Sequence, residues 1–277
     1  MKEASSDIFQ STMTGLEAGL QVLHITNFNL QFCDNDEEEV IAVFDRFKQF
    51  DQVPVRRNGK VVGLIERANG TITGQVKERM RPLNDSLLIS AFEPLMHLIS
   101  LMDMTGTYYL LVLGGTKEQQ GIQGIVTRSD LLKLPIRLLA FTMVTHLEML
   151  LKSIIQSECY QDEQIWLKCL SEGRRKNTLN KWEQAKTSRL EPPKLEYTEF
   201  CDKRDILMKL LKPGTKFKKD LEKIENLRNS VAHAGDYAET QEHMRQFIKT
   251  FLSAQYWIDH LTVNYVQKQD EPDAPNA

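Results

Sequence analysis

The N-terminal half of the chain alternates short apolar runs with polar turns, a pattern that predicts the strands and helices of a small α/β unit. Residues 29–33 form a short strand candidate, and residues 36–50 place their apolar side chains at helical spacing. We expect Asp34 or Asp36 to cap that helix, with acidic side chains in its first turn complementing the helix dipole.

A tight turn and a second copy of the same element order follow. The valine-rich runs 52–56 and 60–66 flank Asn58-Gly59, the strongest short-range signal for a β-hairpin. The order of strand, helix, strand and strand then recurs. The second copy consists of a strand at 87–90, a helix from Pro94 to about Met104, a strand at 108–113, a loop at 114–121 and a strand at 122–127. The repeat predicts internal pseudo-symmetry, with the two units packed face to face.

Strand signals stop after Pro135, and helical patterns replace them. Residues 136–155 are apolar nearly all round, which predicts a central buried helix. Residues 158–200 are polar, and Pro192-Pro193 would break any long helix there. Further helices are predicted at 204–211, 217–234 and 241–266. The expected fold class is therefore α+β, with two strand-helix-strand-strand repeats followed by an all-helical half.

Length and composition agree with two globular domains. The chain has 277 residues, enough for two domains, and its 41% hydrophobic and 26% charged residues exclude a disordered protein. The expected organisation is an N-terminal arm (1–26), a repeat domain (27–134), a helical domain (135–266) and a disordered tail (267–277).

Net charge, cysteines and apolar runs restrict the function classes. The net charge of −3 gives no overall reason to expect nucleic acid, but residues 168–223 carry 16 basic and 9 acidic side chains. The four cysteines lack zinc spacing, and the chain begins without a signal peptide, so we expect reduced thiols, no metal site and a cytoplasmic location. Charges interrupt the most apolar stretch, residues 131–155, which argues against a membrane span.

A first candidate site lies where the last strand of the second repeat ends. Residues 124–130 read Gly-Ile-Val-Thr-Arg-Ser-Asp, and a strand-to-helix turn would place Thr127 and Asp130 at its mouth. A hydroxyl and a carboxylate beside free N–H groups suit a phosphate and a sugar diol. The alternative is that Ser129 or Asp130 simply caps the helix that begins at Leu131.

The motifs V-P-V at 53–55, V-G-L-I at 62–65 and G-I-V-T-R-S-D-L at 124–131 resemble a tandem CBS-domain pair (a Bateman module) over residues 27–134. The resemblance implies a pair of β-α-β-β-α units with an adenine nucleotide (AMP, ADP, ATP or a related molecule) in the cleft between them. It also implies that Thr127 and Asp130 contact the phosphate and the ribose. The first repeat departs from this pattern, since Glu66 stands where the second repeat has Thr127 and Asn69 replaces the aspartate. A carboxylate would repel phosphate, so we expect one nucleotide site per chain.

A second candidate site lies near the end of the helix predicted at 217–234. Arg228, Asn229 and His233 project from one broad side of that helix, and Gly235 is expected to end it. An imidazole can transfer a proton near neutral pH, and a guanidinium can neutralise charge growing on a phosphodiester. These groups suit metal-free cleavage of RNA with its own 2′-hydroxyl as nucleophile, which would spare DNA. The alternative is a helix-end histidine bonded to a carbonyl and a surface ion pair at Arg228.

The arginine-to-histidine spacing, together with H-L-E-M-L-L-K-S-I-I at 146–155, resembles the R-x4-6-H signature of HEPN domains over about residues 136–266. The resemblance implies a helical bundle and a metal-independent endoribonuclease, needing no cofactor for catalysis, whose homodimer brings two motifs together. Arg228 and His233 are then the candidate catalytic groups, with Asn229 in support. Some members of the family carry a tyrosine two residues after the histidine, which antitoxin partners modify. Here Tyr237 lies four residues after it, which argues against that type of control.

The principal hypothesis is a nucleotide-regulated endoribonuclease, and the resemblance implies a role in toxin, stress or phage-defence systems. Its partners would be RNA, an adenine nucleotide and a second copy of the chain, with neither membrane nor DNA. One alternative is a non-catalytic regulatory protein whose helical domain binds RNA or a protein partner. Another is a toxin held inert by covalent nucleotidylation.

Several residues of the helical half are open to more than one interpretation. Glu148 is expected to be a satisfied core carboxylate, or a partner of a basic group near the second motif. The three tryptophans are expected in cores or interfaces rather than as stacking platforms. The basic residues that could steer RNA, or simply form a solvated face, are Arg174, Arg175, Lys176, Lys181 and Lys186.

Overall fold

The computed structural model describes residues 13–16, 18–67, 73–115, 121–188, 192–232 and 240–266. The chain divides into two compact units, Thr14–Ile136 and the residues from Arg137 onward together with Met13. The first unit contains the β-strands, and the second is helical in the part that the structure describes. The fold class is α+β, with a β-rich region followed by a helical one, as predicted.

The first unit holds two three-stranded sheets. One sheet has the order β1-β2-β3 and the other β4-β5-β6. The elements are α1 (Val40–Arg46), β1 (Gln52–Arg57), β2 (Lys60–Glu66), α2 (Val76–Arg79), β3 (Arg81–Pro82), β4 (Leu88–Ser90), α3 (Leu95–Thr105), β5 (Tyr109–Gly114) and β6 (Gly121–Thr127). The predicted hairpin is confirmed, since β1 pairs antiparallel with β2 and positive φ at both Asn58 and Gly59 closes the turn.

In each repeat, the segment before the helix pairs parallel with the strand after it. In the second repeat β4 pairs parallel with β5, and in the first repeat the matching parallel contact is a single bridge between Cys33 and Val55. The strand predicted at 29–33 is therefore wrong in extent. The two sheets share one core cluster, to which the first contributes Leu64 and the second Tyr109, Leu111 and Ile125.

The acidic run between Asp34 and Glu39 forms ion pairs rather than a helix cap. Asp34 accepts two hydrogen bonds from Arg56, at 2.6 and 3.0 Å, and Asp36 pairs with Arg57. The N-cap of α1 is Glu39, without a side-chain cap, so the predicted cap at Asp34 or Asp36 is wrong. These carboxylates are held by arginines of β1, so they do not cap α1, which is shorter than the predicted 36–50.

Two arginines at matching positions show the pseudo-symmetry most directly. Arg67 follows β2 and donates to the carbonyl oxygens of Phe44 and Phe47 at 3.4 and 3.3 Å. Arg128 follows β6 and donates to the carbonyl oxygens of Met102 and Thr107, both at 3.1 Å. Each guanidinium therefore binds carbonyls at or just beyond the C-terminal end of its own repeat's helix, where unpaired carbonyls and the dipole favour a cation.

The glycines of the two repeat motifs are required by close backbone approach. A Cβ atom at Gly63 would lie 2.5 Å from the carbonyl oxygen of Arg81, and one at Gly124 would lie 2.9 Å from that of Asn27. The crossing segments pair with the glycine strands, Pro82 opposite Gly63 and Asn27 opposite Ile125. The segment around Asn27, which precedes the first repeat, therefore packs against β6 of the second repeat. In the first repeat, β3 packs against β2 in the same way.

Gly124→Ala is expected to destabilise the first unit by about 1–3 kcal/mol, because the added methyl would overlap the side chain of Thr26 and the backbone of Asn27. Gly121→Ala is the matched control, since a Cβ atom there meets nothing within 4 Å. Urea unfolding followed by circular dichroism measures the difference. Equal midpoints for the two variants would show that the crossing segment can move aside.

The second unit is built around one long apolar helix. Its helices are α4 (Leu134–Glu158, whose first turn lies in the first unit), α5 (Gln164–Leu167), α6 (Glu172–Thr187), α7 (Phe200–Leu210), α8 (Thr215–Ala232) and α9 (Gln241–Leu261). By length and composition α4 could cross a membrane, but 61% of its most apolar stretch is buried within the protein, as in the core helix of a globular domain. The predicted buried helix at 136–155 is thereby confirmed.

Helix α6 is absent from the predicted elements. Thr178 is its one buried residue, so the helix lacks the apolar stripe by which amphipathic helices are recognised. It begins at the N-cap Ser171, whose hydroxyl accepts from the N–H of Arg174 at 3.4 Å, and it ends before the predicted break at Pro192-Pro193.

Candidate functional site

The structure brings Thr127 and Asp130 into direct contact. One carboxylate oxygen of Asp130 accepts from the backbone N–H of Thr127 at 2.7 Å and from its hydroxyl at 2.9 Å. Thr127 is the N-cap of a 3-10 helix, Arg128–Leu132. The predicted cap is therefore wrong in its residues, because the helix begins at Arg128 rather than Leu131 and its N-cap is Thr127. Asp130 is the third residue of that helix, and its carboxylate completes a capping box.

Asp130 is held from its other side as well. Its second oxygen lies 2.8 Å from the ammonium of Lys133, which also donates to the carbonyl of Ile25 at 2.6 Å. The Asp130 side chain is 13% exposed, so the carboxylate is fixed in place and largely shielded from water. The turn therefore offers a preorganised carboxylate with a hydroxyl and an ammonium beside it.

The position that matches Thr127 in the first repeat has a different chemistry. The Glu66 carboxylate accepts a short hydrogen bond from the hydroxyl of Tyr109 and lies 3.6 Å from Arg81. Tyr109 is the β5 residue paired with Thr127, so this bond joins the two repeats. Burial and the bond to Glu66 raise the pKa of the Tyr109 hydroxyl, which keeps it a donor. Asn69 lies outside the described residues.

In the helical unit, Arg228 lies near the end of α8 and forms an ion pair with a carboxylate from α4. Its Nε atom is 3.4 Å from one oxygen of Glu148, and its side chain is 40% exposed. Asn229 follows on the exposed surface. His233 lies outside the described residues, as do Gly235 and Tyr237.

Glu148 contacts two cations from two different helices. Its other oxygen accepts from the ammonium of Lys203 on α7 at 3.0 Å, and Lys203 also donates to the carbonyl of Thr198 at 2.7 Å. Lys203 is only 5% exposed and Glu148 20%. A buried ammonium needs such a partner because burial of an unpaired charge is strongly unfavourable. Both interpretations of Glu148 hold, since it is satisfied by Lys203 and it also contacts the arginine of the motif.

Lys203 is a buried neighbour of the candidate site that sequence patterns do not reveal. It lies in α7 between Asp202 and Arg204, where a run of charged residues ordinarily indicates a solvated face. Helix periodicity gives a weak signal, because Lys203 and the buried Leu207 and Phe200 are spaced at three and four residues and so share one face.

The basic residues of α6 divide into two groups. Arg174 donates to Asp202 at 2.7 Å and to Glu199 at 2.9 Å, and Lys181 lies 3.6 Å from Glu199. Arg174 lowers the pKa of the Glu199 carboxyl. Arg175, Lys176 and Lys186 have exposed side chains. Arg174 therefore acts within the fold, and the exposed group remains available for a polyanion.

Arg174→Met is expected to destabilise the helical unit by about 2–3 kcal/mol, because it leaves Asp202, whose side chain is 7% exposed, as an unpaired charge. Arg174 also lowers the pKa of Glu199 in the folded state. The stability that comes from the Arg174–Glu199 pair is therefore present at neutral pH and is lost as pH falls through the titration of the Glu199 carboxyl. Urea midpoints at pH 7 and near pH 4 measure both effects. Arg175→Met is the matched control, and equal losses in the two variants would contradict the account.

Two of the three tryptophans lie in the core, as expected. Trp166 is buried, and Trp257 is buried edge-on against Phe217 with its indole N–H donating to Asp220 at 3.1 Å. Trp182 on α6 is only half-buried. Within the part of the chain that the structure describes, no three His, Cys, Asp or Glu side chains group as metal ligands would.

No family model matches this sequence, and no curated protein matches it. Solved structures do match. An uncharacterised conserved protein from Pyrococcus horikoshii is 20% identical over 40% of this chain and 89% of its own, with a TM-score of 0.34. The CBS domains of a transcriptional regulator from Streptococcus pneumoniae are 17% identical over 40% of this chain and 94% of their own, with a TM-score of 0.33.

A third match is the CBS domain of a bacterial CNNM/CorC family Mg²⁺ transporter, solved in complex with ATP. It is 17% identical over 49% of this chain and 96% of its own, with a TM-score of 0.34. The matches cover the β-rich part of the chain, and a helical region follows. Over about 40% of its length, this chain is thus similar to CBS-domain proteins of known structure.

Proposed function

We propose that the protein is a nucleotide-regulated, metal-independent endoribonuclease whose cleavage site lies at the C-terminal end of α8. The observation that carries the proposal is the ion pair of Glu148 with Arg228, five residues before His233. An ion pair with a carboxylate from another helix draws the guanidinium to one side of α8, and transition-state stabilisation needs a cation placed in advance. The resemblance of this segment to HEPN domains supports the same assignment.

The chemistry follows from the three groups of the motif. The 2′-hydroxyl of the substrate attacks the adjacent phosphorus, and the bond from phosphorus to the 5′-oxygen of the next nucleotide breaks. His233 transfers the proton, taking it from the 2′-hydroxyl or giving it to the leaving oxygen, with a second copy of the motif supplying the complementary group in a homodimer. Arg228 neutralises the charge that grows on the phosphoryl oxygens, and exposed Asn229 hydrogen-bonds the substrate. The products are a 2′,3′-cyclic phosphate and a 5′-hydroxyl.

The first unit is proposed to bind an adenine nucleotide at the turn of Thr127 and Asp130. The fixed carboxylate of Asp130 suits the two hydroxyls of a ribose, and the ammonium of Lys133 suits a phosphate. The hydroxyl of Thr127 donates to Asp130 in the free protein and would turn to the phosphate when the nucleotide binds. The Glu66 carboxylate makes the matching position of the first repeat unsuitable for phosphate, which supports one site per chain.

Thr127→Val is expected to weaken ATP or AMP binding about 5- to 10-fold, since one hydrogen bond to phosphate is lost. Ser129→Ala removes an exposed hydroxyl from the same turn and is the matched control. Isothermal titration calorimetry of both variants and the parent measures the affinities. Binding that is unchanged in Thr127→Val, or absent from the parent, would contradict this site.

The proposed function is tested by incubating the purified protein with mixed cellular RNA, or with single-stranded DNA, with and without EDTA and with and without ATP or AMP. We expect fragments ending in 2′,3′-cyclic phosphate, in amounts that depend on the nucleotide, and no cleavage of single-stranded DNA. Loss of cleavage on addition of EDTA would overturn the metal-independent mechanism, and equal rates with and without nucleotide would overturn the regulation.

A non-catalytic regulatory protein is the second candidate, and one observation favours it. Arg228 shares its carboxylate with Lys203, an arrangement that also serves a purely structural ion pair. This candidate predicts RNA or protein binding that is the same in the parent and in His233→Ala, with no cleavage by either. The incubation described above separates the two functions.

A further inference from the structure

The helical unit has a second polar surface feature, separate from the α8 motif, around the half-buried Trp182. An open cleft with a volume of about 320 Å³ is lined by Trp182, Lys186, Pro192, Pro193, Lys194 and Glu163. That volume is at the lower end of the range of about 300–1,000 Å³ that small-molecule pockets occupy. A single planar group with a short polar attachment fits a space of this size.

Two ammonium groups lie against the indole of Trp182. The Nζ atom of Lys186 is 5.1 Å from the ring centroid, and that of Lys194 is 4.8 Å from it. Lys194 is held by Glu163, with 2.7 Å between the ammonium and a carboxylate oxygen. Lys186 is exposed and lies one turn beyond Trp182 on α6. The cleft thus has one fixed cation, one exposed cation, a single anion and a net positive charge.

The surroundings of the cleft favour an anionic polymer as its occupant. Arg175 precedes Lys186 by eleven residues and lies within about 20° of it around the helix, so it extends the exposed positive charge toward the N-terminal end of α6. Arg174 and Lys181 are drawn toward Glu199. A cationic groove beside an aromatic side chain is the combination by which proteins hold single-stranded nucleic acid, the cations tracking phosphates and the ring stacking with a base. A duplex would not fit, since its bases are already stacked and paired.

We propose that this cleft binds one nucleotide of a single-stranded RNA segment, with the base stacked on Trp182 and the adjoining phosphate bound by Lys186. The choice of RNA rests on the proposed function. Stacking of a base on an indole is stronger than the contact of an exposed ammonium with the same ring. Lys186 therefore exchanges the indole for the phosphate when RNA binds, whereas Lys194 stays with Glu163.

The test measures binding separately from cleavage. A fluorescently labelled oligoadenylate of ten nucleotides is titrated with full-length protein carrying His233→Ala, in EDTA, and the dissociation constant is read from anisotropy. Trp182→Leu is expected to weaken binding about 5- to 10-fold, because apolar bulk is kept and the stacking surface is lost. Trp182→Phe keeps an aromatic ring and is expected to stay within about 3-fold of the parent.

Lys186→Gln and Lys176→Gln form a matched pair on α6. They remove the same charge from two exposed positions that are ten residues, or about 15 Å, apart along the helix and about 80° apart around it, so that Lys176 lies away from the cleft side. Lys186→Gln is expected to weaken binding and to lower the salt dependence by about one released ion, and Lys176→Gln is expected to do neither. This pair decides the proposal even if Trp182→Leu proves too unstable to assay.

Three results would overturn the proposal: no binding by the parent, unchanged binding in Trp182→Leu, or equal effects of the two lysine variants. Failure of the proposed function gives a different result. Binding that depends on Trp182 without cleavage by the parent supports the cleft and removes the nuclease. Cleavage with binding that is independent of Trp182 supports the nuclease and removes the cleft.

Discussion

His233→Ala is expected to lower the rate of RNA cleavage by about 10²- to 10⁴-fold, the usual contribution of a positioned acid or base. The imidazole is the one group of the motif that can exchange a proton near neutral pH, whereas Arg228 stays charged and Asn229 does not titrate. Single-turnover cleavage of a defined oligoribonucleotide measures the effect. The matched control is His243→Ala, which removes an exposed imidazole from the first turn of α9.

His233→Ala is expected to keep the parent's thermal unfolding temperature and its affinity for RNA. A variant that retains more than about a tenth of the parent's rate would show that His233 does not move the proton. A loss of RNA affinity equal to the loss of rate would assign the histidine to binding instead.

Glu148→Gln is expected to destabilise the helical unit by about 2–4 kcal/mol and to lower cleavage at least about 10-fold. The stability is lost because Lys203, 5% exposed, keeps a buried charge without its anion. The rate is lost because Arg228 no longer has the carboxylate that directs it. Urea unfolding and single-turnover kinetics measure the two effects separately.

A second substitution separates the two roles of Glu148. Lys203→Met removes the buried charge, so the double variant Glu148→Gln/Lys203→Met is expected to regain most of the lost stability but not the lost rate. Glu196→Gln is the matched control, since it removes the carboxylate that pairs with Lys152, a residue of α4 like Glu148. Its expected loss of unfolding free energy is less than about 1 kcal/mol. Recovery of cleavage in the double variant would show that Glu148 serves only the fold.

The elements that sequence predicts well are those determined by their own residues. The Asn58-Gly59 hairpin follows from turn chemistry, and α4 follows from a long apolar run. Strand β3, two residues long, and helix α6, which has no apolar stripe, carry no such local signal. Asp34 and Asp36 were wrong as helix caps because arginines 21 or more residues away bind them, which a local pattern cannot anticipate.

The candidate sites show the same distinction. Thr127 and Asp130 are three residues apart in one turn, so their contact could be predicted from spacing. Glu148, Lys203 and Arg228 lie on three helices, with 80 residue numbers between the first and the last, so only tertiary packing brings them together. Sequence alone predicts Trp182 in a core or an interface because large aromatic side chains usually lie there. Its half-buried position depends on Pro192, Pro193 and Lys194 from a later segment of the chain.

The chemistry at the end of α8 is tested most directly by one altered substrate. An oligoribonucleotide with a single mapped cleavage position is compared, in EDTA, with the same molecule carrying one 2′-deoxynucleotide on the 5′ side of the scissile phosphate. The account predicts that the parent cuts the first and leaves that position of the second intact, because the attacking oxygen has been removed. Cleavage of both molecules at that position at similar rates would contradict it.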